Sequence, residues 1–221
     1  MFIKQYKVGI GRSLKIMKSQ SQPPSDVSSM YDAGYQSGCD GHKYISQFEI
    51  LAETFTKMFQ PTKAIDFGCG KAPMTKKLIE LGIAAVGIEG SIHARSNYIL
   101  NVDLRTVQNY WENDYDLLTC FDVAEHLEEQ YADHLVKVIV DSCAGSKRDV
   151  TLLFGAATVG QDGHGHVNCQ DPPYWREKFE SHGFTHDEPK TKELVALIRD
   201  ATNHVWWVAK NLNVFMKIKG T

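Results

Sequence analysis

Two hydrophobic periods alternate along most of the chain. Phe48, Leu51, Phe55, Met58 and Phe59 recur at helical spacing within Ile45 to Phe59, and Pro61 ends that helix. Lys63 to Gly70 is a short apolar strand that runs into glycines. Met74, Leu78, Ile79 and Leu81 then form a helical stripe opened by Ala72-Pro73 and closed by Gly82. Ala84 to Ile88 is a second apolar strand, ending at Glu89. Ser91 is placed to cap a further helix through Ile92, Ala94 and Arg95, and Tyr98 to Val102 reads as a third strand with Asp103 just beyond it. Tyr115 to Val123 is a fourth strand, followed by a helix from about Gln130 that shows Leu135, Val138, Ile139 and Ser142 on one face. Val150 to Phe154 is a fifth strand. Asp171, Pro172 and Pro173 open a helix carrying Trp175 and Phe179, which Gly183 stops. A short strand near Phe184, a helix from Lys190 to Arg199, and two β segments, Val205 to Ala209 and Leu212 to Ile218, turning at Lys210-Asn211, complete the pattern.

Alternating strands and helices predict an α/β domain with a mostly parallel sheet. The strand at Lys63 to Gly70 is where a nucleotide-like cofactor should sit. Asp66 is a polar residue in a strand buried on both faces, and Gly68 and Gly70 permit close backbone approach to a ligand. About twenty residues separate Asp66 from Glu89, the span a βαβ unit needs to bring an acid to the ribose hydroxyls of a nucleoside. A dinucleotide-binding turn would need a third glycine three positions after Gly70, where this chain has Pro73. That argues against a nicotinamide-dependent oxidoreductase, as does the lack of a separate substrate domain.

Asp66-Phe67-Gly68-Cys69-Gly70-Lys71-Ala72 instead resembles motif I of the class I S-adenosylmethionine (SAM)-dependent methyltransferases, with Ala72 in place of the last glycine. The resemblance runs from about Lys63 to the C-terminus. It implies a Rossmann-like seven-stranded sheet, mostly parallel with an antiparallel C-terminal strand, and SAM as cofactor. It further implies that Asp66, Gly68 and Gly70 shape the amino-acid end of the cofactor site, that Glu89 binds the ribose, and that Asp103 receives the adenine amino group. Asp114 and Asp116 lie nearby in sequence as competitors for that last role. Trp111 is read as core.

The fourth strand delivers Asp122 to the carboxyl edge of the sheet, where such sheets bind ligands, so it counts among the cofactor contacts. Asp122-Val123-Ala124-Glu125-His126 then crowds titratable groups into the mouth of the site. His126 suits a base that takes a hydroxyl proton. Asp122, Glu125 and His126 also offer two hard oxygens and an imidazole to a divalent ion. The plain alternative is that Glu125 and His126 only cap and solvate a helix start. The stretch resembles the metal-binding acid-x-x-Glu-His element of ubiquinone-type O-methyltransferases and of small-RNA 3′-terminal methyltransferases. The loop Gly163-His164-Gly165-His166-Val167-Asn168, with its following Pro-x-x-Trp, resembles one that sets a histidine beside substrate in several small-molecule methyltransferases. His166 is therefore the second catalytic candidate with His126, and the expected metal set is Asp122, Glu125, His126 and His166, around Mg2+ or another divalent cation.

Composition narrows the setting. The 221 residues fit one domain, and a net charge of −3 gives no global argument for nucleic acid or a membrane. Cys39, Cys69, Cys120, Cys143 and Cys169 are odd in number and lack Cys-x-x-Cys spacing, which fits a reducing compartment. Residues 1 to 20 carry no signal-peptide core, so the cytoplasm is expected. Residues 1 to 29 read as a basic, flexible extension holding Lys4, Lys7, Arg12, Lys15 and Lys18, and residues 30 to 221 as a single methyltransferase domain. Within it, residues 30 to 60 supply a Tyr- and Gly-rich lid and the first helix. The expected activity is methyl transfer to an oxygen of a small molecule. The 3′ end of a nucleic acid is an alternative acceptor, and a non-catalytic SAM-binding module an alternative function. No feature sets an oligomeric state.

Overall fold

The computed structural model describes residues 42–108, 111–202 and 205–219, and the backbone of two strands near the N-terminus. Those two, β1 (Ile3–Lys7) and β2 (Ser13–Met17), pair antiparallel, so a hairpin stands within what the composition marks as a flexible extension. The expected lid before His42 lies outside the described residues.

Helix α1 (His42–Phe59) leads into β3 (Lys63–Phe67), α2 (Pro73–Glu80) and β4 (Ala84–Glu89). Then come β5 (Ile99–Asn101), β6 (Leu117–Phe121), α3 (Ala132–Asp141) and β7 (Val150–Gly155). The chain closes with α4 (Pro172–Glu180), β8 (Thr185–His186), α5 (Glu188–Ala201), α6 (Trp206–Asn211) and β9 (Leu212–Lys217). Seven strands form one sheet in the order β5-β4-β3-β6-β7-β9-β8, and β9 runs antiparallel to both of its neighbours.

Every residue of β6 and β7 is buried, as strands covered on both faces must be. On one face, Leu51 and Phe55 of α1, Leu78 of α2, and Leu194 and Ile198 of α5 pack together. On the other, Leu135 and Ile139 of α3 meet Trp175 and Phe179 of α4. Trp111 is core, as expected: it packs on Phe67 and donates its indole hydrogen to Ser142 Oγ at 2.8 Å. The strand order reverses between β3 and β6. Their carboxyl ends, carrying Asp66 to Gly70 and Asp122, therefore flank the crevice where open α/β sheets bind ligands.

Two expected elements are different. No helix follows Ser91. Ser91 Oγ accepts from the His93 amide, Ser96 Oγ from the Tyr98 amide, and the Asn101 side chain donates to the carbonyls of Ser91 and Ala94. These short polar side chains compete for the backbone and hold residues 91–98 as turns. Nor do residues 205–218 form a hairpin. Val205, Val208 and Ala209, at i, i+3 and i+4, are buried, and Trp206–Asn211 is a helix leading directly into β9. A short apolar run has no periodicity to separate helix from strand.

Candidate functional site

The turn after β3 is built for close approach. The amides of Gly68 and Cys69 both donate to the Ile88 carbonyl, at 2.8 and 3.0 Å, tying the end of β3 to the end of β4. Gly68 has φ +70, and a Cβ there would stand 2.1 Å from Val123 Cγ2. At Gly70 a Cβ would find nothing within 4 Å, which leaves an open cradle over the turn. Glu89, buried at the end of β4, takes the Gly70 amide on Oε2 at 2.8 Å and the Ser91 amide on Oε1 at 2.7 Å. Lone pairs remain on both oxygens for sugar hydroxyls. Asp103 lies just past β5, and its carboxylate is gripped by Arg105, Nε to Oδ1 at 3.0 Å and Nη2 to Oδ2 at 2.9 Å. Its sequence competitors sit elsewhere. Asp116 holds Thr62 and Lys63 at the amino end of β3, and Asp114 pairs with the Lys63 ammonium.

Asp66 is buried and accepts the hydroxyl hydrogens of Thr119 at 2.8 Å and Thr75 at 3.0 Å. Burial pushes its carboxyl from an ordinary 3.8 up to about 7, against the pull of the two hydroxyls and with a small addition from Glu89. The folded state thus holds this proton more tightly than the unfolded one. Asp66's contribution to stability therefore falls as pH rises from about 4 to about 7. At about 1.4 kcal/mol per pKa unit, the ionised carboxylate costs on the order of 4 kcal/mol above that window. Asp66→Asn is expected to raise the Tm of the ligand-free protein at pH 8 by roughly 5 °C or more, and to change it little at pH 4. Thermal unfolding of both proteins at the two pH values checks this; an equal difference at both would contradict it.

The second half of the site follows β6. Asp122 adopts the left-handed region, φ 54, and its amide donates to the Gly155 carbonyl at 3.1 Å. The chain then makes a 3-10 turn, Ala124–His126, where a helix cap was the plain alternative. Glu125 is 1 % exposed. Its Oε1 accepts the Ala157 amide at 2.9 Å, and its Oε2 is buried with no hydrogen-bond partner. Burial raises its pKa, and neighbouring backbone amides offset part of the rise. The loop after β7 docks on this turn through the amides of Val167 and Asn168, which both donate to the Glu125 carbonyl, at 2.8 and 3.0 Å.

That docking brings two imidazoles together, with ring centroids 4.9 Å apart at 72°. His126 Nδ1 lies 3.2 Å from the Gly165 carbonyl and His166 Nδ1 3.0 Å from the Gln161 carbonyl. A carbonyl only accepts, so both Nδ1 atoms carry the hydrogen, and in a neutral ring of this tautomer Nε2 is the atom that presents a lone pair. Burial pushes the His126 pKa down to about 4, so this ring is neutral at physiological pH. Gly163 makes room for His166, because a Cβ there would fall 2.2 Å from the ring. His164 is exposed, outside this cluster.

Among the described residues, Glu125, His126 and His166 bring ligand atoms within 4.8 Å of one another. Asp122, the fourth residue of the expected set, is not in that group. Burial and Glu125 push the Asp122 pKa up to about 7. Ala157, whose amide meets Glu125 Oε1, shapes this region and is not singled out by the sequence pattern.

No protein-family model matches the sequence, and no curated protein matches it. Solved structures do share its fold. A TehB-like SAM-dependent methyltransferase of Corynebacterium glutamicum aligns over 89 % of this chain and 100 % of its own, at 17 % identity and a TM-score of 0.57. The magnesium protoporphyrin IX methyltransferase of Synechocystis, with S-adenosylhomocysteine bound, aligns over 89 % and 99 %, at 14 % identity and a TM-score of 0.56. The 1,6-didemethyltoxoflavin-N1-methyltransferase of Burkholderia thailandensis, with 1,6-didemethyltoxoflavin and S-adenosylhomocysteine bound, aligns over 96 % and 97 %, at 12 % identity and a TM-score of 0.54. The chain has the class I SAM-dependent methyltransferase fold.

Proposed function

We propose that the protein transfers the methyl group of SAM to an oxygen of a small molecule, with a divalent cation such as Mg2+ held by Glu125, His126 and His166. The carrying observation is the buried, unpartnered Oε2 of Glu125 in a group whose ligand atoms, with those of His126 and His166, lie within 4.8 Å of one another. A buried carboxylate oxygen without a partner costs about 1–3 kcal/mol or more. A hard oxygen with two imidazoles, each facing a carbonyl through Nδ1, is a donor set that suits a divalent cation. When bound, the cation would lower the pKa of an acceptor hydroxyl.

The chain's own residues do the rest. Gly68 and Gly70 let the backbone approach the methionyl end of SAM, with Asp66 behind them. Glu89 offers lone pairs to the ribose, and Asp103, oriented by Arg105, faces the adenine amino group. The titratable cluster beside the cofactor crevice favours chemistry over a purely binding role. Small molecules named in similar structures, such as 1,6-didemethyltoxoflavin, support an acceptor of that size. A cytoplasmic setting goes with this reading. Cys69, Cys120, Cys143 and Cys169 are free thiols, and no helix among the described residues is long and apolar enough to cross a membrane.

The test is formation of S-adenosylhomocysteine from SAM over a panel of small hydroxyl compounds. Turnover with at least one acceptor, lost on chelation and restored by Mg2+ or Mn2+, is expected. Turnover indifferent to chelator would retain methyl transfer and remove the cation from it.

A further inference from the structure

Asn211 is the last residue of α6, at the point where the chain turns into β9. Leu212 pairs with Gly155, so Asn211 stands at the carboxyl edge of the sheet, where β6 and β7 end. A Cβ on Gly155 would lie 3.5 Å from the Asn211 backbone, and the Gly155 carbonyl takes the Asp122 amide at 3.1 Å. Asn211 and Asp122 thus flank Gly155 from the β9 side and the β6 side. The Asn211 residue is 4 % exposed, and neither Oδ1 nor Nδ2 has a hydrogen-bond partner among the described residues. The neighbouring Asn213 is engaged at both ends: Nδ2 donates to the Asn211 carbonyl at 3.0 Å, and Oδ1 accepts from Arg176 Nη2 at 3.0 Å. A buried amide with both polar atoms unmet is costly, and folded proteins keep few of them. Exchanging its oxygen and nitrogen would supply no partner either.

A second unmet amide borders the same segment. Asn168 is 4 % exposed. Its backbone amide donates to the Glu125 carbonyl and its Oδ1 accepts from Gln170 Nε2 at 2.9 Å, which leaves Nδ2 without a partner. Gln170 in turn donates its backbone amide to the Ala157 carbonyl at 3.3 Å, and the Ala157 amide meets Glu125 Oε1. Asn211 therefore borders residues 155–157 at Gly155, and Asn168 at Ala157. All three residues of the segment are small and buried. The strand end beside Glu125 carries little side-chain bulk and two amides with unmet hydrogen bonds.

We propose that Asn211 is a specificity-determining residue whose amide receives a substituent of the methyl acceptor that shows a donor and an acceptor side by side, as a carboxamide or lactam does. The Asn211 side chain offers one acceptor and one donor in a plane, so a second amide meets both with two parallel hydrogen bonds. An ether or a ketone would meet only the donor. The inference rests on the methyl-transfer reading above and does not require the cation.

The test compares hydroxybenzamides with hydroxyacetophenones, pairs with the same carbonyl and nearly the same shape in which a methyl group replaces the amino group. Formation of S-adenosylhomocysteine by the full chain is measured with each. Wild type is expected to favour the amides about tenfold or more in kcat/KM, chiefly through KM, because a site with buried polar groups rejects the analogue that leaves them unpaired. Asn211→Leu keeps the volume and removes the amide. It is expected to abolish the preference and to leave the ligand-free protein no less stable to heat. No preference in the wild type, or one that survives Asn211→Leu, overturns the inference. So does a variant that unfolds several degrees below wild type, since the amide would then be bonded inside the protein. Turnover of other hydroxyl compounds but of neither series overturns this inference alone; no turnover of any hydroxyl compound overturns the methyl-transfer reading with it. A second measurement needs no variant. With S-adenosylhomocysteine bound, meta-hydroxybenzamide is expected to raise the wild-type Tm more than meta-hydroxyacetophenone does. Equal shifts would overturn the inference.

Discussion

Gly68→Ala is expected to lower SAM affinity on the order of 100-fold. The new Cβ would stand 2.1 Å from Val123 Cγ2, on a backbone at φ +70. Left-handed strain for a residue with a side chain costs roughly 1–3 kcal/mol, and overpacking roughly another 1–3. Val123 is buried and belongs to the core cluster under the sheet edge, so it has little room to turn away. The turn must therefore shift, and with it the two amides that Gly68 and Cys69 give to Ile88. About 1.4 kcal/mol is worth tenfold in binding, so a loss near 3 kcal/mol gives the stated figure. Gly82→Ala is the matching control. Gly82 has φ +87 at the end of α2 but nothing within 4 Å of an added Cβ, so it should cost some stability and leave SAM affinity unchanged. Calorimetric titration of both variants makes the comparison; equal losses in affinity would contradict the role given to Gly68.

Glu125→Gln is expected to move two observables in opposite directions. Glutamine can keep the bond from the Ala157 amide on its oxygen, and its amide hydrogens can turn to the Nε2 lone pairs of His126 and His166. The buried group is then neutral, so the desolvation that raises the Glu125 pKa is removed and the ligand-free protein should gain stability. Glu125's shifted pKa makes the gain larger at pH 8 than at pH 4, because the native carboxyl is costly only where it ionises. A cation bound at the proposed site would lose its one hard anionic ligand, and Mn2+ affinity should fall 100-fold or more, on the order of 3 kcal/mol. Such an exchange of stability against site chemistry is the mark of a residue kept for function. A variant less stable than wild type, with Mn2+ binding intact, would make Glu125 a structural residue.

Much of the fold is legible in the chain. The apolar runs of β3, β4, β6 and β7 end at Phe67, Glu89, Phe121 and Gly155, within a residue or two of where the pattern puts them, because strands buried on both faces tolerate almost no polarity. The failures come where side chains act locally or where the run is short. Ser91, Ser96 and Asn101 turn a presumed helix into bonded turns, and Val205 to Ala209 is too brief to show its period. The backbone of Asp122 is tied through its amide to the Gly155 carbonyl at 3.1 Å, at the end of a different strand. No spacing rule links the two, so the sequence offers Asp122 to the cation set on residue type alone. By contrast, Glu125 and His126 are adjacent and His166 lies in a glycine-marked loop, so their residue types could be read. Their convergence required the docking of Val167 and Asn168 on the Glu125 carbonyl, which no pattern reveals.

The most direct measurement of the central claim is a calorimetric titration of the wild-type protein with SAM, with S-adenosylhomocysteine and NAD as comparisons. Saturable one-to-one binding of SAM and S-adenosylhomocysteine, without binding of NAD, is predicted. No heat of binding with SAM at millimolar concentration would contradict the account.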